Sequence, residues 1–262
     1  MTTHFQVICE IEPATTPDLK KVRHQIGVLS PIASGFLIPD NHIGRATVSS
    51  VAVAHEVQAM GGRSIACLNA RDRNLLGFRR DLLTAAAYGV DEFLFVYGDD
   101  PLVGTRTSEL TVRTMIAEGR KYAESLGPGT TMRFGAATGL RAVPEWKRSA
   151  DFLFVQIGFS LDDLLRWRSQ VDLSIPAYAG VIVLPSAAMA RRLGDDIPGL
   201  TVPGELIERL EQDRNAGVDA ACELVERIEE SGALDGVHLI PVSRYREVAA
   251  RLEQAPPGAR RQ

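Results

Sequence analysis

Residues 92–101 read EFLFVYGDDP, and residues 152–157 read FLFVQI. Each is a run of large apolar side chains that ends at a polar or turn-forming residue. A strand covered on one face alternates apolar and polar positions, whereas a strand apolar almost throughout is covered on both, the condition of a parallel sheet that carries helices. Working outward, short apolar segments at 5–10, 35–38, 63–68, 92–97, 131–136, 151–157, 177–183 and 237–242 alternate with amphipathic stretches. Those stretches lie at 18–28, 47–60, 75–88, 108–126, 161–170, 187–193, 204–232 and 243–254. Segment 143–149 has room for a turn or two of helix, and 201–235 has room for two helices. Thr16-Pro17 and Ser243 offer side chains for helix starts, and Gly61-Gly62, Gly89 and Gly232 stand where left-handed helix stops are expected. Eight strand-and-helix units without a break in composition predict a single α/β domain, a (β/α)8 TIM barrel over 1–254, followed by a disordered tail at 255–262.

The 262 residues can bury a sizeable core without disulfides or a structural metal, in one domain or two. With 29 basic against 33 acidic residues and no basic stripe, a nucleic-acid partner is not expected. Cys9, Cys67 and Cys222 have neither the CxxC spacing nor the even number of a disulfide framework, which points to a reducing cytoplasm. No apolar signal core or membrane-length run occurs, so a soluble protein with no membrane partner is expected. His4, His24, His42, His55 and His238 lack metal-ligand spacing; only His42 falls in a loop after a strand, and no metal is expected. No P-loop, GxSxG elbow or GxGxxG follows a strand, and no Lys lies on a predicted strand to form a Schiff base.

In such a barrel the chemistry gathers where strands end at their C-termini. Those ends carry Glu10 and Glu12, Asp40 and His42, Asn69 to Asn74, Tyr97 to Asp100, Thr138 and Gln156. Glu10 and Glu12, two apart, are expected on one side of their strand. A carboxyl partly buried toward the barrel axis holds its proton as a general acid near neutral pH must; the alternative is a carboxylate held by an arginine such as Arg71. Asp99 follows Gly98, which lets backbone approach a ligand, and reads as a ligand contact or as a turn residue of GDDP; Asp100, before Pro101, reads as turn structure. Gln156, the one polar residue in its run, is expected to be a buried amide whose partners are a ligand ring edge or neighbouring backbone. Arg71 and Arg73 fit an internal Arg–Asp turn, and Asp40 and Asn69, one step deeper, are expected to meet a ligand. Trp146 and Trp167 read as packing residues.

Taken together, the first strand with Glu10, the segments IPDNHIGRATVSS at 38–50 and CLNARDRNLLGFRRDLLTAAAYGVDEFLFVYGDDP at 67–101, FLFVQIGF at 152–159 and VHLIPVSR at 237–244 resemble methylenetetrahydrofolate reductases. The stretch from Cys67 to Pro101 is the most specific part and the closing strand the weakest. The resemblance implies a (β/α)8 barrel in which NADH or NADPH reduces 5,10-methylenetetrahydrofolate to 5-methyltetrahydrofolate through bound FAD. It assigns Glu10 as the general acid when the methylene bridge opens to an iminium ion. Asp99 contacts the pterin and stabilises developing positive charge, and Gln156 hydrogen-bonds the pterin. Asp40, Asn69 and Glu12 join the substrate-binding set, and Tyr97, Gly98, Cys67 and Thr138 fall at cofactor-binding places.

The chain departs from the family at the flavin. Tyr97 stands where the family has Arg, and Cys67 where it usually has His. AATGLRAVPEW at 136–146 replaces a loop bearing Tyr-Pro and His, and Ala187 stands near the place of a lost ligand aromatic. A tyrosine cannot neutralise a pyrophosphate as a guanidinium does. The expectation is a reductase with a reduced or absent FAD site, in which the nicotinamide delivers hydride directly to the iminium carbon. The alternatives are a non-catalytic folate-binding or methyl-transfer accessory protein, and a barrel enzyme of unrelated chemistry.

Overall fold

Eight strands form where the apolar runs predict them: β1 (Gln6–Glu10), β2 (Gly35–Ile38), β3 (Ser64–Asn69), β4 (Glu92–Val96), β5 (Arg133–Thr138), β6 (Phe152–Ile157), β7 (Ala177–Ile182) and β8 (Gly236–Ile240). The computed structural model describes residues 4–196 and 200–254. Each strand pairs in parallel with the next, and β8 returns to β1, so the sheet is a closed barrel. Alternation divides the side chains into two layers. Ile8, Leu37, Ile65, Cys67, Leu94, Phe152, Phe154 and Tyr178 form the interior cluster. Their neighbours Cys9, Phe36, Ile38, Ala66, Leu68, Phe93 and Phe95 pack in the larger core under the helices. Both faces of β4 and β6 are therefore apolar, which is why FLFV carries no alternation.

The interior is tight. A Cβ added at Gly135 on β5 would lie 2.0 Å from the Phe152 ring, so this position must be glycine for the ring to fill the axis. A polar plug closes the N-terminal end: the Arg63 guanidinium donates to both carboxylate oxygens of Glu92 (2.6 and 2.7 Å) and to Gln6 Oε1 (2.8 Å). Tyr178 donates to the same Gln6 oxygen at 3.0 Å.

The helices are α1 (Lys20–Leu29), α2 (Ser50–Ala59), α3 (Leu75–Ala87), α4 (Val112–Ser125), α5 (Glu145–Arg148), α6 (Leu161–Gln170), α7 (Ala187–Asp196), α8 (Gly204–Gln212), α9 (Ala216–Ser231) and α10 (Tyr245–Glu253). The stretch 204–232 is two helices, as its length allowed. Gly61, Gly89 and Gly232 adopt φ of 83°, 73° and 61° at helix ends, as expected, whereas Gly62 does not. The expected caps at Thr16-Pro17 and Ser243 are not made: α1 starts after Leu19 and α10 after Arg244, neither with a side-chain cap. Asn74, Thr111 and Ser160 cap α3, α4 and α6 instead, each accepting from an N–H three residues on. The expected tail at 255–262 lies outside the described residues. Among the described residues no helix is long and apolar enough to cross a membrane, and no group of three or more His, Cys, Asp or Glu could hold a metal ion.

Candidate functional site

At the C-terminal ends of the strands lies a cavity of about 320 Å³, lined by Glu10, Asp40, His42, Cys67, Gly98, Asp99, Gln156 and His238 above the apolar floor of Leu37, Leu94 and Phe154. The volume falls at the small end of the roughly 300–1,000 Å³ of small-molecule sites. Three expected residues meet here from three strand ends: Glu10 from β1, Asp99 after β4 and Gln156 from β6.

Glu10 projects inward as the last residue of β1 and its side chain is largely buried. Its Oε2 lies 3.1 Å from His238 Nε2. His238 reaches the axis because it pairs with inward-facing Ile8 across the β1–β8 seam, and its ring stands edge-on to Phe154 at 5.1 Å. The alignment with Glu10 falls short of a hydrogen bond, which leaves Nε2 a buried nitrogen without one, a feature that asks for an explanation at a ligand site. The sequence reading set His238 among structural residues. The missed signal is one polar residue inside the apolar run VHLI.

Asp99 is exposed at the rim, and its Oδ2 accepts the Ile43 N–H at 2.8 Å. Ile43 and Asn41 have φ of 50° and 46°, so the loop after β2 is bent to bring that N–H over. Gly98 makes the approach possible: at φ 90° it carries the chain so close to Asn69 that a Cβ would lie 2.8 Å from that side chain.

Gln156 corrects one expectation. It is exposed rather than buried, because β6 shifts register against β7 between Val155 and Ile157. The bulge leaves Gln156 as the extra residue, aimed into the mouth.

The carboxylate of Asp40 borders the cavity but is already engaged. It accepts from the Asn69 N–H (3.0 Å), from Asn69 Nδ2 (2.9 Å) and from the Arg73 guanidinium. Arg73 also donates to Asp81 at 2.8 Å. Burial works against the Arg73 charge, yet Asp40 and Asp81 outweigh it and hold the guanidinium above its ordinary pKa. Asn69 is a second correction: its amide donates to Asp40 and to Asp72 Oδ2 (2.8 Å) and accepts from the Asp72 N–H (3.0 Å), so its N–H groups are committed to tying two loops together and it does not line the cavity. Glu12 is a third. β1 ends at Glu10, alternation does not carry past it, and Glu12 turns out to accept from Lys21 Nζ at 2.7 Å on the side of α1.

The expected cofactor positions separate. Cys67 and Gly98 line the central cavity. The Cys67 thiol is pushed well up by burial, with the carboxylates of Glu10 and Asp40 adding to it, so it stays protonated. Tyr97 lies beyond the end of β4, half exposed, with the Arg71 guanidinium 4.5 Å from its ring centroid. Arg71 in turn pairs with Asp100 in the loop after β4 at 2.9 Å, rather than with an Asp inside its own turn as expected. Thr138 lines an adjoining cavity of about 510 Å³, which shares Ala137, Gln156 and Ile157 with the central one.

Residues 146–256 match the family model for methylenetetrahydrofolate reductase. Over these residues the chain is similar to the methylenetetrahydrofolate reductase family. The matched residues include Gln156, His238 and the closing strand. The stretch 67–101, the most specific part of the resemblance, lies outside them. Glu10 and Asp99 also lie outside the match and reach its residues through closure of the barrel. No curated protein matches the chain.

Among solved structures, a protein from Clostridium thermocellum described as binding two copies of 5-methyl-5,6,7,8-tetrahydrofolic acid superposes at a TM-score of 0.65 with 13% identity, covering 96% of each chain. EDTA monooxygenase from Chelativorans sp. BNC1 follows at 0.57 and 9%, covering 99% of this chain and 95% of its own. A glycoside hydrolase family 17 β-1,3-glucanosyltransferase from Rhizomucor miehei gives 0.53 and 14%, covering 91% and 87%. At these identities the likeness is one of fold.

Proposed function

We propose that the protein is a methylenetetrahydrofolate reductase-like oxidoreductase that reduces 5,10-methylenetetrahydrofolate to 5-methyltetrahydrofolate with NADH or NADPH, without a resident flavin. The observation that carries the reading is the convergence of Glu10, Asp99 and Gln156 on one cavity of about 320 Å³, with Gln156 inside the family-matched residues. The Clostridium thermocellum neighbour, which binds a methylated folate on the same fold, agrees with a folate ligand here.

The Gln156 amide, free of strand pairing at the bulge, offers both a donor and an acceptor to the edge of a pterin. Phe154 and Leu94 supply the apolar floor for a flat ring. Asp99, fixed by the Ile43 N–H, sets a negative charge where positive charge develops as the methylene bridge opens. Opening breaks the bond from the methylene carbon to the leaving nitrogen; Glu10 gives that nitrogen its proton and the carbon becomes an iminium on the other nitrogen. His238 Nε2, 3.1 Å from Glu10, is the neighbour through which the carboxyl's proton is restored once the two align. The reduced nicotinamide then transfers hydride to the iminium carbon, forming the methyl group and leaving the oxidised nicotinamide. One proton and one hydride are consumed for each methyl formed.

The flavin contacts that the family resemblance implies are not met by the residues present. Where an arginine would neutralise the pyrophosphate, Tyr97 is half exposed beneath Arg71, whose charge is engaged by Asp100. After β5 the connecting helix is reduced to the single turn of α5. No step is therefore routed through a flavin; an iminium is itself a hydride acceptor, and the protein has only to hold the two reactants in register.

The test is to record the visible spectrum of the purified protein and to follow nicotinamide oxidation with methylenetetrahydrofolate, with and without added FAD. Turnover with no flavin absorption is expected. Activity that requires FAD removes the flavin-free reading. Tight methyltetrahydrofolate binding with no nicotinamide turnover favours the accessory folate-binding reading that the Clostridium thermocellum neighbour also fits.

A further inference from the structure

The cavity of about 510 Å³ beside the central one holds two cations, Arg141 and Lys147, on its wall between β5 and β6. Lys147 is half buried; its ammonium donates to the Ala137 carbonyl at 2.6 Å and lies 5.4 Å from the Trp146 ring. Arg141 is exposed, its carbonyl accepting from Trp167 Nε1 at 2.9 Å. Neither cation has a carboxylate within ion-pair distance among the described residues. Asp163, the acidic group on the same wall, is taken by Arg166 at 2.7 Å. Burial, and after it the charge of Arg141, lowers the pKa of Lys147. Two like charges facing one cleft without a counterion are a liability that a bound anion removes.

We propose that Arg141 and Lys147 seat the diphosphate of the reduced nicotinamide dinucleotide, while its ring enters the central cavity past Gln156. The inference rests on the reductase reading above. Its geometry follows from the ligand: in a dinucleotide a ribose separates the reactive ring from the first phosphate, so the anion must lie one cavity over from the carbon that receives hydride. The cavity with the two cations is the one that shares Ala137, Gln156 and Ile157 with the central site. Thr138, on the same wall, adds a hydroxyl donor. No Rossmann helix is needed, because side-chain cations replace the backbone amides that usually hold a pyrophosphate. The carboxylates of a folate tail carry the same kind of charge, and the experiment separates the two sources.

Calorimetric titrations of pyrophosphate, ADP-ribose and 5-methyltetrahydrofolate are made on the full chain and on Arg141→Ala and Lys147→Met, the latter keeping an aliphatic chain on Trp146. Melting temperatures check that each variant is folded. The expected result is about a tenfold or greater loss of pyrophosphate and ADP-ribose affinity in each variant, as for loss of a charge-assisted contact, with folate affinity unchanged. Loss of folate affinity alone transfers the seat to the folate tail and overturns the dinucleotide assignment. No pyrophosphate or ADP-ribose binding by the native chain, or binding indifferent to both substitutions, overturns the anion seat itself. Binding that behaves as expected in a protein without reductase turnover leaves the seat standing and counts against the reductase reading instead.

Discussion

A carboxyl that delivers a proton inside a barrel needs a way to recover it, and Glu10 has one neighbour placed for that, His238 at 3.1 Å. Glu10→Gln keeps the shape and removes the proton, so turnover is expected to fall by about 10²–10⁴-fold while methyltetrahydrofolate affinity is largely retained; an unchanged rate rejects the general-acid role. His238→Gln is expected to lower turnover and to move the pH–rate profile, which loss of packing against Phe154 alone does not do. Asp40 has the opposite character. Asp40→Asn takes away a charge that balances buried Arg73, and unfolding in urea is expected to report a loss of about 3–5 kcal/mol, with folate affinity nearly unchanged. The places of Glu10 and Asp99 at the barrel mouth were readable because the end of an apolar strand can be named from the residue pattern. Asn69 and Glu12 were misplaced because the partner a polar side chain finds is set by how the chain turns after its strand: Asp40 reaches Asn69 from the loop after β2, and Lys21 reaches Glu12 from α1.

Among the elements, β5 and β6 decide the shape of the site. Gly135 lets the Phe152 ring cross the axis, and the bulge at Val155/Ile157 turns Gln156 out of the sheet and into the mouth. Gly135→Ala sets a methyl against that ring, and a loss of about 1–3 kcal/mol with a lower melting temperature is expected; equal stability means that the ring is not held as described. All eight strands were legible to within two residues, because a buried parallel strand announces itself by an unbroken apolar run. The caps of α1 and α10 were not, since a Thr or Ser near a helix start acts only if the chain turns there. The bulge was not legible either, because a register shift belongs to two strands at once and neither sequence carries it alone.

At the scale of the molecule, closure of the sheet unites the two halves of the chain: Glu10 and Asp99 from the first half meet Gln156 and His238 from the family-matched second half. The three cysteines are all buried, Cys67 inside the barrel and Cys9 and Cys222 in the core under the helices. Burial pushes the Cys222 thiol up to about 12 and Cys67 well above its usual value, so both are thiols at pH 8 and regain ordinary reactivity only when the chain unfolds. Thiol labelling at pH 8 is thus expected to be slow in buffer and to reach all three cysteines in guanidinium; rapid native labelling contradicts this packing. The central claim is direct hydride transfer from nicotinamide to the folate one-carbon unit in this closed mouth. It is tested most directly by running the reaction with nicotinamide dinucleotide carrying deuterium at the transferred C4 position and examining the methyl group of the product. Direct transfer predicts one deuterium retained in each methyl group formed in ordinary water. A methyl group without deuterium, as exchange through a reduced flavin produces, or no methyl formation at all, contradicts the account.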